Sequence, residues 1–160
     1  MILALSSGSM EFRREAPGDP GRPQRLIESD VVQPVEVDGD AALRDLAAAH
    51  AHLASARLIA DSDPTGAFVM SYDATRKAIA AHMRAQGLRV RKGPGEHERT
   101  ARYASAALDP DISEHLDALD GMRRLRHQSE YGARLIRPDE LAVSLGHAEA
   151  MVDSVQRDLA

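Results

Sequence analysis

The chain has 160 residues and a formal net charge of -5, with 43% apolar and 28% charged residues. This length predicts one compact domain with a single core, and the shortage of aromatic and β-branched runs argues against an all-β fold. The absence of cysteine excludes disulfides, thiolate metal sites and a cysteine nucleophile, which fits the cytoplasm, and we expect no membrane-spanning segment.

Charge is distributed unevenly along the chain. Residues 74–137 hold thirteen Lys or Arg against eight Asp or Glu, whereas the rest of the chain holds seven against seventeen. A basic middle is what a polyanion such as RNA needs, although a solvated surface with uneven charge gives the same pattern.

Residues 1–39 are predicted to form a flexible or extended N-terminal tail. The segment contains four prolines together with glycines and acidic residues, so it has little apolar surface to bury. Four valines near its end could form a short strand or clamp against the domain: Val31, Val32, Val35 and Val37. We place the start of a helical bundle at residue 40 and its end at residue 160.

Two long helices are predicted at the start of the bundle. Asp38 or Asp40 can cap the first, which runs to about Ala60. Its inward face is expected to carry Leu43, Leu46, His50, Leu53 and Arg57. Pro64 opens the second helix, which is expected to stop at Gln86-Gly87. The side chains expected inside this helix are Phe68, Tyr72, Ile79 and Met83.

Residues 88–95 are predicted to form a basic loop. Gly93, Pro94 and Gly95 could cradle a phosphate, but the Gly-Lys-Ser/Thr ending of a P-loop is missing, and a simple turn explains them as well. A third, shorter helix follows through Tyr103 and Leu108.

Two further helices complete the predicted fold. The fourth is expected to turn Ile112, Leu116, Leu119, Met122 and Leu125 or Arg126 inward. The last begins at Pro138, and its apolar residues alternate at intervals of four and three: Leu141, Leu145, Ala148, Val152, Val155 and Leu159. We predict an all-α, antiparallel bundle of four long helices plus a shorter one, in which the last helix could build a homodimer.

Residues 122–132 carry the strongest functional signal. The segment crowds arginines, a histidine and a phenol at the end of the fourth helix. Helical spacing sets Arg123 beside His127, and His127 beside Tyr131. Such a cluster can bind phosphates, but a solvated helix end whose cations complement the helix dipole is the simpler interpretation.

A bundle whose penultimate long helix ends in a basic Arg-polar pair, followed by a loop and a last helix, resembles the HEPN superfamily. Arg126 and His127 match the Arg-polar pair of the family motif. The final histidine of that motif would fall within residues 131–133, where Tyr131 stands first, as in a bacterial branch with a tyrosine near the end of the motif. The resemblance covers about residues 41–159.

The resemblance implies a function on RNA. Many HEPN domains are metal-independent ribonucleases, often toxins of toxin-antitoxin or antiphage systems, and others are catalytically silent binding modules. It therefore implies RNA or nucleotide as ligand, a nucleotidyltransferase-type antitoxin as partner, and a homodimer that forms the active site between its subunits. A silent bundle that binds a nucleotide or a protein stays open as the alternative.

The chemistry of RNA cleavage suggests a role for each residue of the cluster. His127 could exchange protons near neutral pH, and Arg126 could hold phosphate through two parallel donors. Tyr131 could stack on a base or orient a phosphate. The candidate catalytic residues are therefore Arg126, His127 and Tyr131, and the candidate nucleic-acid contacts are Arg91, Lys92, Arg123 and Arg124. The seven histidines do not follow metal-ligand spacing, so we expect neither a metal nor another cofactor.

Overall fold

The computed structural model describes residues 21–108 and 110–160. The described elements follow the order α1 (Arg22–Glu28), β1 (Val32–Pro34), α2 (Gly39–Ile59), α3 (Pro64–Ala85), β2 (Leu88–Val90), α4 (Glu96–Ala107), a 3-10 turn (Pro110–Ile112), α5 (Ser113–Tyr131) and α6 (Pro138–Leu159). The prediction of an all-α helical bundle is confirmed. Between residues 21 and 160 the described helices number six, one more than expected, because α1 was not predicted.

Aspartate caps fix the starts of the first two long helices predicted. The Asp38 carboxylate accepts a hydrogen bond from the Ala41 backbone N–H at 2.8 Å, and Asp63 accepts one from Gly66 at the same distance. Each aspartate satisfies a backbone donor that has no partner within its helix. These caps explain why the predicted starts of α2 and α3 are correct to within a residue or two.

The N-terminal segment differs from the predicted tail where the structure describes it. Leu26 of α1 and both Val31 and Val32 are buried in the core. Val32 pairs with Val90 in the antiparallel β1–β2 ladder, so residues 88–90 form a strand where a loop was expected. The clamp predicted for the valines is therefore present at Val31 and Val32, whereas the first twenty residues of the predicted tail lie outside the described part.

The inward face of α2 is rotated from the predicted one. Leu43 is 59% exposed, whereas Leu46 and Leu53 are buried as expected. The remaining core positions of this helix are alanines: Ala42, Ala49 and Ala56. A face of alanines lets α3 approach closely. A larger side chain such as that of Leu43 would hold the two helices apart if it lay on this face.

Side-chain contacts define how the long helices run. Arg84 bonds to Asp45 at 2.6 Å, so α2 and α3 are antiparallel. Thr65 near the start of α3 accepts a hydrogen bond from the Ile136 N–H just before α6. At the other end of α3, His82 faces Asp158, which shows that α3 and α6 run parallel. The central helix α3 packs against α2, α5 and α6.

The last helix contributes to the core of a single chain. Val152 and Val155 are fully buried, as are Ala148 and Met151. Because α3 packs against α6, these two valines are used within one chain and are not available for the homodimer contact predicted for this helix, while dimerisation through other residues stays a prediction.

A buried hydrogen bond joins two helices. The Nδ1 atom of His82 lies 2.7 Å from the Tyr103 hydroxyl. Burial lowers the pKa of His82 to about 4, and the charge of Arg22 adds to this effect. Burial also raises the pKa of Tyr103. At neutral pH the pair is an uncharged hydrogen bond that links α3 to α4.

No helix within residues 21–108 and 110–160 combines the length and the apolar character needed to cross a lipid bilayer.

Candidate anion-binding cleft

The predicted cluster on α5 divides into inward and outward side chains. Arg126 turns inward, and its guanidinium carbon lies 5.5 Å from the centre of the Tyr72 ring on α3. Its Nη2 atom lies 3.1 Å from the Glu130 carboxylate one turn further on. The Nε atom of Arg126 is buried without a hydrogen-bond partner. Arg126 is thus held between an aromatic ring and a carboxylate.

His127 and Tyr131 face solvent. Their rings lie 4.9 Å apart at an interplanar angle of 42°. Tyr131 is 78% exposed, an unusual position for an aromatic side chain in a chain with so few of them. The two rings form an exposed aromatic pair, which confirms the predicted neighbourhood of His127 and Tyr131 but separates both from the contacts of Arg126.

Arg123 and Arg124 share one acidic neighbour. Arg123 Nε lies 3.0 Å from one oxygen of Asp120, and Arg124 contacts the other oxygen. One carboxylate thus holds two guanidinium groups on the same turn of α5. Both side chains remain partly exposed to solvent, so the pair can still meet a phosphate from outside.

Arg91 and Lys92 lie in the connection between β2 and α4. The Arg91 guanidinium bonds to Asp30 at 2.6 Å, while its backbone carbonyl accepts two hydrogen bonds from Arg99. Arg99 also donates to the Pro94 carbonyl at 2.9 Å, which fixes the shape of the turn. The structure therefore gives Arg91 a structural partner and leaves Lys92 exposed.

A cleft of about 860 Å³ lies between α3, α4 and α5. Its α3 side carries Tyr72 and Arg76, which are one turn apart, and its α5 side carries Leu119 and Arg123, which are spaced in the same way. The third side comes from the turn before α4 and from most of α4 itself: Gly93, Pro94, Gly95, Glu96, His97, Glu98, Thr100, Ala101, Arg102 and Ser105. The cleft falls within the size range of small-ligand sites.

Tyr72 is the functional candidate that the sequence did not single out. Only 3% of it is exposed, as expected for a core residue, yet it lines the cleft. Within the described residues its hydroxyl makes no hydrogen bond, and because it is not among the fully buried polar atoms without a partner, solvent reaches it from the cleft. The sequence placed this residue in the core correctly, but the opening above its hydroxyl depends on α4 and α5, which lie far along the chain.

The charges around Tyr72 are those of three arginines and one aspartate, Asp73. Burial raises the pKa of its hydroxyl, and Asp73 adds slightly to this rise, so the phenol is a neutral hydrogen-bond donor at physiological pH. Three arginines oppose this rise in pKa through their charge: Arg76, Arg126 and Arg123. The same charges that would favour a phenolate also favour an anion that accepts a hydrogen bond from the hydroxyl.

A second cleft of about 720 Å³ adjoins the first. Arg76, Glu96 and Thr100 line both, so Arg76 stands between the two spaces. Lys92 lines this second cleft, whereas Arg91 lines neither. Of the four predicted nucleic-acid contacts, Arg123 therefore lies in the first cleft, Lys92 in the second, and Arg124 on the adjacent surface of α5.

Comparisons with protein-family models, with curated proteins and with solved structures found no match for this chain. Across the described ranges, no group of three or more His, Cys, Asp or Glu side chains is placed to hold a metal ion. What the arrangement offers chemically is a set of guanidinium donors, a neutral phenol and an exposed aromatic pair.

Proposed function

We propose that this protein is an HEPN-like helical bundle that binds RNA through the C-terminal half of α5 and the cleft beside it. The observation that carries the proposal is the exposed ring pair of His127 and Tyr131 on the same helix as three arginines. Exposed aromatic rings next to cations are the features with which proteins hold single-stranded nucleic acid.

Each part of this surface has a distinct task in the proposal. Arg123 and Arg124 contact backbone phosphates, since guanidinium groups hold phosphate oxygens through paired hydrogen bonds. Tyr131 stacks on an unpaired base, and His127 supports its ring from one side. The basic middle of the sequence attracts the RNA as a whole, despite the negative net charge of the chain.

Binding is proposed ahead of cleavage. Cleavage at a 2'-hydroxyl needs one group to remove a proton and another to protonate the leaving oxygen. Tyr131 stands where the family motif has its second histidine, and a phenol is a poor base at neutral pH. The toxin-antitoxin setting and a nucleotidyltransferase-type partner belong to the same proposal, because they follow from the HEPN resemblance.

The proposal can be tested with the full chain and a labelled single-stranded RNA in metal-free buffer. Fluorescence anisotropy measures affinity, and a denaturing gel of the same samples detects cleavage. Tyr131→Ala should weaken binding by roughly tenfold, because stacking on one base contributes about 1–3 kcal/mol. Arg57→Gln is the matched control for charge, since Arg57 lies on α2 and bonds to Glu149.

Salt dependence separates phosphate contacts from stacking. Each lost phosphate contact should reduce the slope of log K against log salt concentration by roughly 0.7 for a single strand. We expect Arg124→Gln to reduce the slope by about this amount and Tyr131→Ala to leave it unchanged. If none of these variants alters the affinity, the proposed RNA-binding surface is refuted. If the gel detects cleavage that disappears in both Arg126→Ala and His127→Ala, the protein is a ribonuclease.

A further inference from the structure

We infer that the cleft between α3, α4 and α5 is a pocket for a terminal phosphate of the bound RNA, with Tyr72, Arg76 and Arg123 as its phosphate contacts. This inference rests on the proposed RNA-binding function and deepens it. The ligand class is a phosphate monoester on an RNA end, as distinct from the diester groups inside the strand.

The phenol of Tyr72 is a hydrogen-bond donor in the lining of the cleft. Only 3% of Tyr72 is exposed, but its hydroxyl is not among the fully buried polar atoms that lack a partner, so the exposed part includes the hydroxyl. Here the hydroxyl has no partner within the described residues, and its residue lines an open cleft of about 860 Å³. A ligand oxygen in the cleft would accept the hydrogen bond that the protein leaves unused.

The two arginines on the α3 and α5 sides of the cleft determine the charge of that ligand. Among the described residues, Arg76 makes one hydrogen bond, to Asp73 at the long distance of 3.4 Å, so most of its five N–H donors face solvent or the cleft. Arg123 is held by Asp120 through its Nε atom, which leaves its terminal nitrogens for another acceptor. Asp120 also lines the cleft, but its carboxylate is shared by Arg123 and Arg124. Together with Arg76 and the neutral phenol donor, the α3 and α5 sides suit a group with more than one negative charge.

A phosphate monoester has that charge. It carries about -1.5 to -2 near neutral pH, whereas each diester inside an RNA strand carries -1. The Arg126 charge stands behind the Tyr72 ring and adds to the same field. The pocket therefore favours a phosphorylated end over an internal phosphate on electrostatic grounds.

The third side of the cleft suits the nucleoside that bears the phosphate. Glu96 and Glu98 line this side and would repel phosphate, but their carboxylates can accept hydrogen bonds from ribose hydroxyls and base amino groups. The phosphate is thus placed toward α3 and α5, and the sugar and base toward α4. The volume of the cleft accommodates one nucleotide rather than a folded strand.

The experiment compares three RNAs of one sequence with the full chain: a 5'-phosphorylated RNA, a 3'-phosphorylated RNA, and one with hydroxyl groups at both ends. At least one phosphorylated RNA should bind about tenfold more tightly than the hydroxyl-ended one, since hydrogen bonds to charged groups are the strong ones. Tyr72→Phe and Arg76→Gln should each remove most of this preference without abolishing RNA binding. Arg57→Gln should preserve it.

Each outcome decides between the two proposals. Equal affinity for all three RNAs would overturn the terminal-phosphate pocket and leave the RNA-binding function standing, whereas no binding of any RNA would overturn both. If the preference for phosphorylated RNA survives in the double variant Tyr72→Phe with Arg76→Gln, another surface causes the preference and the pocket is refuted. A free nucleoside monophosphate that binds as tightly as the phosphorylated RNA would refute the assignment to RNA ends, because the strand would then add nothing.

Discussion

The guanidinium carbon of Arg126 lies 5.5 Å from the centre of the Tyr72 ring, although the two residues are on different helices. A contact of this kind stabilises by about 0.5–2 kcal/mol, depending on how far it is shielded from water. It also connects the two parts of the proposed site. The ring that contacts Arg126 ends in the hydroxyl that faces the cleft, so the end of α5 and the cleft share one side chain.

The stability of Tyr72 variants should separate the ring from the hydroxyl. Tyr72→Phe should change the free energy of unfolding by less than about 0.5 kcal/mol, because the hydroxyl has no partner to lose and the ring stays over Arg126. Tyr72→Ala should cost about 3–5 kcal/mol through the cavity that it leaves. Urea denaturation of both variants measures the difference. A large loss in Tyr72→Phe would mean that the hydroxyl has a structural partner and would remove the basis of the phosphate pocket.

His82 should make the protein less stable in mild acid. Its pKa is 6.5 in an unfolded chain and about 4 in the folded one. Between these pH values the unfolded chain binds the extra proton, so stability is complete above about pH 6.5 and falls as the pH is lowered towards 4, at up to about 1.4 kcal/mol per pH unit. Burial and the charge of Arg22 lower this pKa, and Asp158 lies 3.7 Å from His82 Nε2, too far for a hydrogen bond.

The measurement is urea denaturation at several pH values between 4 and 7.5. His82→Gln keeps a polar partner for the Tyr103 hydroxyl but cannot titrate, so its stability should depend less steeply on pH in this window. His97→Gln, a change at an exposed histidine, should leave the wild-type dependence intact. An unchanged slope in His82→Gln would show that other groups cause the acid sensitivity.

The predictions from the sequence were most accurate for helix ends, which depend on residues close together in the chain. Asp63, Pro64 and Gly87 mark the two ends of α3, and the structure places them where caps and turns require such residues. The inward face of α2 was predicted less well, because leucines were weighted over alanines. In this helix Ala49 is fully buried and Leu43 is not, since the spacing between α2 and α3 rewards small residues.

The features that could not be predicted from the sequence depend on contacts between residues far apart in the chain. The β2 strand exists because Val90 pairs with Val32, and fifty-seven residues separate the two along the chain. The cleft poses the same difficulty, since Tyr72 belongs to α3 and Arg123 to α5. Helical periodicity identified Tyr72 as a buried residue, but periodicity along one helix contains no information on whether another helix covers its hydroxyl.

A charge in the buried face of α6 should unfold the chain rather than dissociate a dimer. Val152 is fully buried, and an unpaired carboxylate there should cost several kcal/mol, enough to exceed the stability of many small domains. Val143→Asp on the same helix is the matched control, because Val143 is 61% exposed. Circular dichroism should show loss of the cooperative thermal transition for Val152→Asp alone. A folded Val152→Asp monomer would contradict the packing of α6 against α3.

Gly87 should tolerate no larger residue at the turn between α3 and β2. Its φ of +66° lies in the left-handed region, and an added Cβ would approach the Val37 Cγ2 atom to 2.9 Å and the Val35 carbonyl oxygen to 3.0 Å. Gly87→Ala should therefore destabilise the protein by about 1–3 kcal/mol. Gly146→Ala on α6 has nothing within 4 Å of the new methyl group and should instead stabilise the helix by about 0.5–1 kcal/mol. Thermal denaturation of the two variants should thus shift the midpoint in opposite directions, and a shift in the same direction would contradict the backbone conformation at one of these glycines.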